Sequence, residues 1–449
     1  MARPLCATIL GRCLQCNYTP VQVVSPLISR LNASSAPSAL SCIGLEKTQK
    51  MAFSSSARSN TNSQVSEPPA CLLKPLEVPN KLLMGPGPSN PPPRVLAAGA
   101  LPLLGHMHPE FFEVLDDVKA GIQYVFQTKN EWTYAISGSG HAAMEAAVVN
   151  LLEIGDVALV CQNGIWGGRI AEMVDRNGSI VKKLVRPMGE VFSLEEIEQG
   201  LKEHKPKLVF VTYGESSSGS AQPLEGLGDL CRKYDALLLV DSVAIAGGAP
   251  LFMDAWNIDV LYSGSQKVMG APPATSPISF NQRARDVIAN RKTKVRSYYL
   301  DAAELANYWG CDENPRRYHH TCLVSSIYAL REGLARLAEQ GLEKSWQEHR
   351  KCAEMLYEGL EKMGLEMWIK DKAIRNPCVT TIRVPEGVEW KKVVDHLMKQ
   401  HKIEIAGALG KDLLGEIWRI GIMGHNCTPE NVNRTLQALK EALDLYWKK

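Results

Sequence analysis

Acidic side chains are absent from the first 45 positions of this 449-residue chain. Long hydrophobic runs are absent throughout. The most apolar stretches, such as residues 236–240, meet a charge or a glycine within a few positions, far short of the roughly 20 apolar residues a spanning helix needs. A transmembrane protein is therefore excluded, and no membrane partner is expected. A large charge of one sign is also missing. The formal net charge is +2, and beyond residue 66 there are 44 basic and 47 acidic residues, so nucleic acid is not an expected partner either. Paired cysteine motifs are scarce. Cys13 and Cys16 have C-x-x-C spacing but no second pair to complete a zinc finger, and eight further cysteines are scattered from Cys71 to Cys427. That distribution suits buried thiols in a reducing compartment and assigns no cysteine to catalysis. With 45% apolar and 22% charged residues, what remains is a globular chain of about two domains.

The amino terminus has a composition of its own. Arg3, Arg12 and Arg30 alternate with apolar, Ser, Thr and Ala residues, and Leu5, Ile9 and Leu10 can share one helical face that excludes Arg12. Residues 1–66 are expected to be a mitochondrial targeting extension that delivers the protein to the matrix. Met51 offers a second start, and a shorter form from it would be cytosolic or peroxisomal. The final Tyr446-Trp447-Lys448-Lys449 is not a Ser-Lys-Leu type address.

Residues 67–92 are rich in proline and read as an arm and loop that ends in Pro91-Pro92-Pro93. From Trp132 onward, short apolar runs alternate with helical segments. Seven strands are expected, at 132–136, 157–161, 180–184, 208–213, 236–241, 258–263 and 275–280. Their continuous apolar character suits a mostly parallel sheet covered on both faces, and so an open α/β large domain over residues 93–340. A helix over 343–363 leads into a smaller carboxyl-terminal domain, residues 341–449, with strands at 378–384 and 416–423 and helices at 389–400 and 429–445.

Ligands of open parallel sheets bind at the carboxyl ends of the strands. The first strand there runs into Ser137-Gly138-Ser139-Gly140-His141 and a helix-like segment, a place for a phosphate. The same residues satisfy the dinucleotide fingerprint, but the next strand ends in Cys161-Gln162-Asn163 without the acid that binds a ribose. Two later strands end in Asp241 and, through Ser263-Gly264-Ser265-Gln266, in Lys267. A lysine for an imine, a carboxylate for a ring nitrogen and a phosphate cradle are what pyridoxal 5′-phosphate asks of a protein.

These residues resemble the fold-type I, class V pyridoxal phosphate aminotransferases. The resemblance runs from about Leu73 to near the end, through Gly85-Pro86-Gly87-Pro88-Ser89-Asn90, Asn163-Gly164-Ile165-Trp166-Gly167, Gly214-Glu215-Ser216-Ser217, Val240-Asp241-Ser242-Val243, Tyr318-His319-His320-Thr321 and Arg419-Ile420-Gly421. It implies a fold-type I α/β architecture: a mostly parallel seven-stranded large domain plus a smaller α+β domain. It makes Lys267 the lysine that carries the cofactor covalently and Asp241 the partner of the pyridine nitrogen, both catalytic. Trp166 would stack on the ring, Ser216 and Val243 would line it, and Ser139, Gly140, His141 and Gln266 would hold the phosphate. Tyr318 and Thr321 would reach the phosphate of a neighbouring subunit, so a homodimer is implied. Arg419 would clamp the substrate carboxylate. The implied reaction moves an amino group between small amino acids, alanine or serine, and the 2-oxo acids glyoxylate or pyruvate, which amounts to glyoxylate detoxification. No metal site is expected, since the adjacent rings of His319 and His320 do not easily converge on one ion. Three alternatives carry discriminators: a desulfurase of the same class needs a mobile catalytic cysteine, a nicotinamide dehydrogenase would lack an imine chromophore, and a non-catalytic binding or scaffold protein would keep the fold but lose Lys267 or Asp241, both of which are present.

Overall fold

A computed structural model describes residues 66–410 and 413–448. The basic extension, with Arg3, Arg12, Arg30 and Met51, lies outside the described residues. The chain divides into two units, Met1–Leu76 and Glu77–Lys449. Residues 66–76 of the first are exposed and hold a single 3-10 turn at Ala70–Leu73. Everything below concerns the second.

All seven expected strands form one sheet, in the order Trp132–Ser137, Thr275–Phe280, Val260–Tyr262, Leu237–Asp241, Leu208–Thr212, Val157–Gln162 and Ile180–Val185. Pairing is parallel from Val260–Tyr262 to the Ile180–Val185 edge, whereas Thr275–Phe280 runs antiparallel to both its neighbours. The sheet is thus mostly parallel, as its apolar runs require. Every residue of Leu208–Thr212 and Leu237–Asp241 is buried, because helices cover both faces, while the edge strand Ile180–Val185 turns Lys182 and Lys183 to solvent. The strand that precedes the Gly-rich turn lies at the far edge beside an antiparallel neighbour. It is therefore separated from Val157–Gln162 by four strands, which removes the crossover that a dinucleotide fingerprint needs.

Two helices stand where no element was anticipated. Pro109–Phe126 buries Phe111, Leu115, Val118, Ile122 and Val125, a plain three-and-four spacing that places one apolar stripe on the sheet. Pro93–Gly99 begins at the last of three prolines. A proline in the first helical turn sacrifices no hydrogen bond, so the proline run ends the loop and opens a helix.

A second hydrophobic core gathers Met84, Leu356, Leu360, Ile382, Trp418, Ile420 and Leu439. It is built from the antiparallel strands Val379–Arg383, Ile417–Gly421 and Ala406–Gly407, packed with helices Leu342–Lys362, Trp390–His396 and Pro429–Tyr446. The expected helix over 389–400 differs in one respect: after His396 the chain widens into a π turn, Leu397–His401. The proline-rich arm contributes a strand of its own, Leu82–Leu83, paired in parallel with Ile403–Glu404. Among the described residues no helix is long and apolar enough to cross a membrane. Leu239 sits in the middle of the sheet with no exposed surface. Leu239→Ala is expected to destabilise the fold by about 2–5 kcal/mol, read as a lower denaturant midpoint.

Candidate active site

At the carboxyl ends of the central strands lies a cavity of about 370 Å³. Ser139, Gly140, His141, Trp166, Ser216, Asp241, Val243, Gln266, Lys267 and Arg419 all line it. Residues from the sheet and from the second core thus converge on one space. Tyr318 and Thr321 do not line it. Both are exposed, and their hydroxyls lie 3.4 Å apart. The neighbouring imidazoles serve packing: His320 meets the Ser137 hydroxyl at 2.7 Å, and His319 reaches the Tyr298 carbonyl at 3.0 Å.

Asp241 ends the strand Leu237–Asp241 beside Tyr262, its register partner on the parallel neighbour. The carboxylate is 3% exposed, and burial lifts its pKa to about 6. Three features oppose that rise: the Val243 N–H donating at 2.8 Å, the Tyr262 hydroxyl donating at 2.7 Å, and the charge of Lys267. The Lys267 amine is buried too and touches the Pro86 carbonyl. Its pKa falls to about 8, first from burial and then from the Arg419 charge, although Asp241 pulls it up. Room for the amine comes from Gly87, whose φ of +115° favours glycine; a Cβ there would stand 2.2 Å from Nζ.

Arg419 lies on Ile417–Gly421 and is 5% exposed. Nε donates to the Gly407 carbonyl at 2.9 Å and Nη1 to the Ser216 carbonyl at 3.0 Å, while Nη2 has no protein partner among the described residues. Burial lowers its pKa to about 10, against the pull of Glu215. Trp166 opens the helix Ile165–Arg176; its indole N–H donates to the Ser216 hydroxyl at 3.0 Å, and its ring meets His141 edge-on at 5.7 Å. Ser139 precedes the helix Gly140–Leu151 without capping it through its side chain, so the positive end of that helix opens on the cavity.

Two acids that were given no role belong to this region. Glu215 is fully buried, accepts hydrogen bonds from the Ser217 N–H and hydroxyl, and has its pKa pushed up to about 7 by burial. Gly164 makes room for it, because a Cβ at that position would fall 2.2 Å from its carboxyl carbon. Glu404 lines the cavity half-buried, and burial raises its pKa as well. Only the Gly-Glu-Ser-Ser motif flagged the first; nothing in the local sequence around Glu404 distinguishes it from a surface glutamate.

A family model for class-V aminotransferases matches residues 85–432. The chain belongs to the class-V aminotransferase family. It is 56% identical over 376 residues to an alanine–glyoxylate aminotransferase of Callithrix jacchus, covering 84% of this chain and 91% of that one. It is also 37% identical to an (S)-ureidoglycine–glyoxylate transaminase of Bacillus subtilis, over 81% of this chain and 91% of the relative. A crystal structure of an alanine–glyoxylate aminotransferase from a Nostoc species superposes with a TM-score of 0.81 at 44% identity, covering 84% of this chain and all of that one.

Class-V aminotransferases work with pyridoxal phosphate, and the residues of this class-V aminotransferase fit that group. A buried carboxylate stands opposite the cavity with its pKa raised, ready to be paired by a ring N–H. The Gln266 amide, beside an uncapped helix terminus, makes no hydrogen bond to the protein, and its Oε1 is buried without a partner. Among the described residues no cysteine lines the cavity, and of their cysteines only Cys71 is exposed. The lowered pKa of Lys267 has a kinetic signature. In apoenzyme, the rate at which its amine captures an aldehyde should climb with pH and level off near 8, whereas an amine at the ordinary 10.5 would keep climbing. Rapid-mixing absorbance across that range measures it.

Proposed function

We propose that this aminotransferase moves the amino group of a small neutral amino acid, alanine or serine, to glyoxylate or pyruvate, with pyridoxal 5′-phosphate as cofactor. The observation that carries the reading is the placement of Lys267, Asp241 and Arg419 around one cavity. A cofactor bound there would supply an aldehyde for the amino group and an electron sink for the Cα–H bond. The protein's own share is binding, orientation and proton movement. Asp241, held as an acceptor by the Val243 N–H and the Tyr262 hydroxyl, would keep a proton on the ring nitrogen. Lys267, with its amine pKa near neutrality, carries a proton between the substrate Cα and the cofactor carbon. Arg419 offers its Nη2 end to the substrate carboxylate while two backbone carbonyls fix the rest of the fork. The helix terminus at Gly140, with Ser139, His141 and Gln266, takes the phosphate, and Trp166 with Val243 walls the ring.

The comparisons favour glyoxylate as acceptor, since relatives at 56% and 37% identity are both named for it. The donor preference is supported by Glu404. An unpaired carboxylate in the same cavity as Arg419 opposes a donor that brings a second carboxylate, such as glutamate. We further propose a homodimer in which Tyr318 and Thr321 complete the partner's phosphate site. Their exposure, with Tyr318 57% accessible, supports that reading. Import into mitochondria through residues 1–66 rests on the basic, acid-poor composition of that segment.

A half-reaction tests the core of this reading: L-alanine added to holoenzyme should discharge the cofactor absorbance, and glyoxylate should restore it. Lys267→Ala should lose turnover by at least about 100-fold and lose covalent retention of cofactor after borohydride. Arg419→Lys should lower kcat/KM for alanine and glyoxylate alike by about 10- to 100-fold, mostly through KM. Glu404→Gln should raise the preference for glutamate over alanine by at least about tenfold; unchanged selectivity would remove Glu404 from the specificity argument. Residues 1–66 fused to a fluorescent reporter should enter mitochondria, and a cytosolic signal would refute the targeting proposal.

A further inference from the structure

At the surface of the second core, outside the cavity, two histidines and a glutamate converge. His396 ends the helix Trp390–His396, and His401 ends the π turn Leu397–His401 that follows without a break. In an α-helix, five residues turn through about 500°, which would leave the two rings roughly 140° apart. A π turn bonds residue i to i+5 and so nearly eclipses residues at that spacing. The backbone leaves α geometry at the place where leaving it brings both imidazoles to one side.

Facing them, the helix Pro429–Tyr446 presents Glu441. His396 Nε2 lies 3.0 Å from Glu441 Oε1, and His401 Nε2 lies 3.2 Å from Oε2. One donor atom from each residue falls within 4.8 Å of the others. Simple hydrogen bonding leaves this arrangement incomplete: His401 Nε2 is buried and close to a carboxylate oxygen, yet it makes no hydrogen bond. The His396 side chain is only 8% exposed, and its ring packs edge-on against Tyr446 at 5.7 Å, which fixes its orientation. The nearest lysines in sequence are engaged elsewhere, Lys399 with Asp395, Lys402 with the Lys399 carbonyl, and Lys440 with Asp444.

We propose that His396, His401 and Glu441 form a binding site for a zinc-type divalent cation, with the two Nε2 atoms and a carboxylate oxygen as ligands and water in the fourth position. Bonds of about 2.0–2.1 Å in tetrahedral geometry separate ligand atoms by about 3.3 Å; here the two imidazoles reach opposite oxygens of the carboxylate at 3.0 and 3.2 Å, and the three ligand atoms lie within 4.8 Å of one another, so an ion would draw them slightly together. Two imidazoles select a borderline transition-metal ion over magnesium or calcium, which prefer all-oxygen shells. The ion would tie the π turn to the carboxyl-terminal helix, a structural rather than catalytic role.

The test uses full-length holoenzyme, stripped with a chelator and titrated with Zn²⁺ by calorimetry and with Co²⁺ by visible absorbance. One equivalent with the d–d bands of tetrahedral cobalt is expected. His401→Ala and Glu441→Gln, both at partly exposed positions, should weaken zinc binding by at least about tenfold while leaving turnover and the metal-free unfolding midpoint unchanged. Zinc should raise the midpoint of the wild type and not of the variants. Absence of binding in the wild type, or equal affinity in the variants as Cys13 and Cys16 would give, overturns the proposal.

Discussion

Asp241 keeps its carboxylate 3% exposed at the end of a strand that has no face toward water, and a charge so placed is costly unless every lone pair is answered. Much of the surrounding architecture supplies those answers. The parallel register that sets Asp241 beside Tyr262 provides a hydroxyl, the turn after the strand provides the Val243 N–H, and the loop beyond Tyr262 returns Lys267 to the same edge. The remaining imbalance shows in the titration of both groups. Burial pushes the acid up to about 6 and the amine down to about 8, which keeps a proton exchangeable near neutrality.

The second core closes the site from the other side. Arg419 sits on a strand packed among Trp418, Ile420 and Leu439, and its guanidinium reaches across to the Ser216 carbonyl. The arm is woven into the same wall: Leu82–Leu83 pairs with Ile403–Glu404, which brings Glu404 against Gly85 and into the cavity. Burial of Glu215 beneath this seam, with an ordinary acid raised to about 7, is tolerated because Arg419 and the Ser217 N–H and hydroxyl lie close by. The cavity is therefore a property of both cores and of the loop between them, and a change in the packing of either shifts the distance between the proton carrier and the carboxylate clamp.

Much of this was legible from the chain. Runs such as Leu237-Leu238-Leu239-Val240 are buried on both faces and carry their own signature, and all seven sheet strands fall where that signature stands, with bounds that move by no more than two residues. The helix Pro109–Phe126 was not anticipated, although its buried residues follow a three-and-four spacing; it lies between the proline-rich arm and the first strand of the sheet. The π turn was not legible, because Leu397–His401 has the composition of an ordinary helix end; it lies against the carboxyl-terminal helix, a neighbour remote in sequence.

Local chemistry fixed the residue types at the site: a glycine-rich turn before a helix, an acid and a lysine at the ends of strands, an arginine within an apolar strand. Each depends on neighbours in sequence, where periodicity and turn propensity act. Sequence could not decide which charges share a cavity, since Glu404 and Glu215 become relevant only through contacts with residues hundreds of positions away. Nor could it decide that Tyr318 and Thr321 stay outside the cavity of their own chain, or that His396 and His401 face one carboxylate. Those outcomes belong to the tertiary structure, because desolvation and the distance between charges are set by packing and have no local signature in the chain.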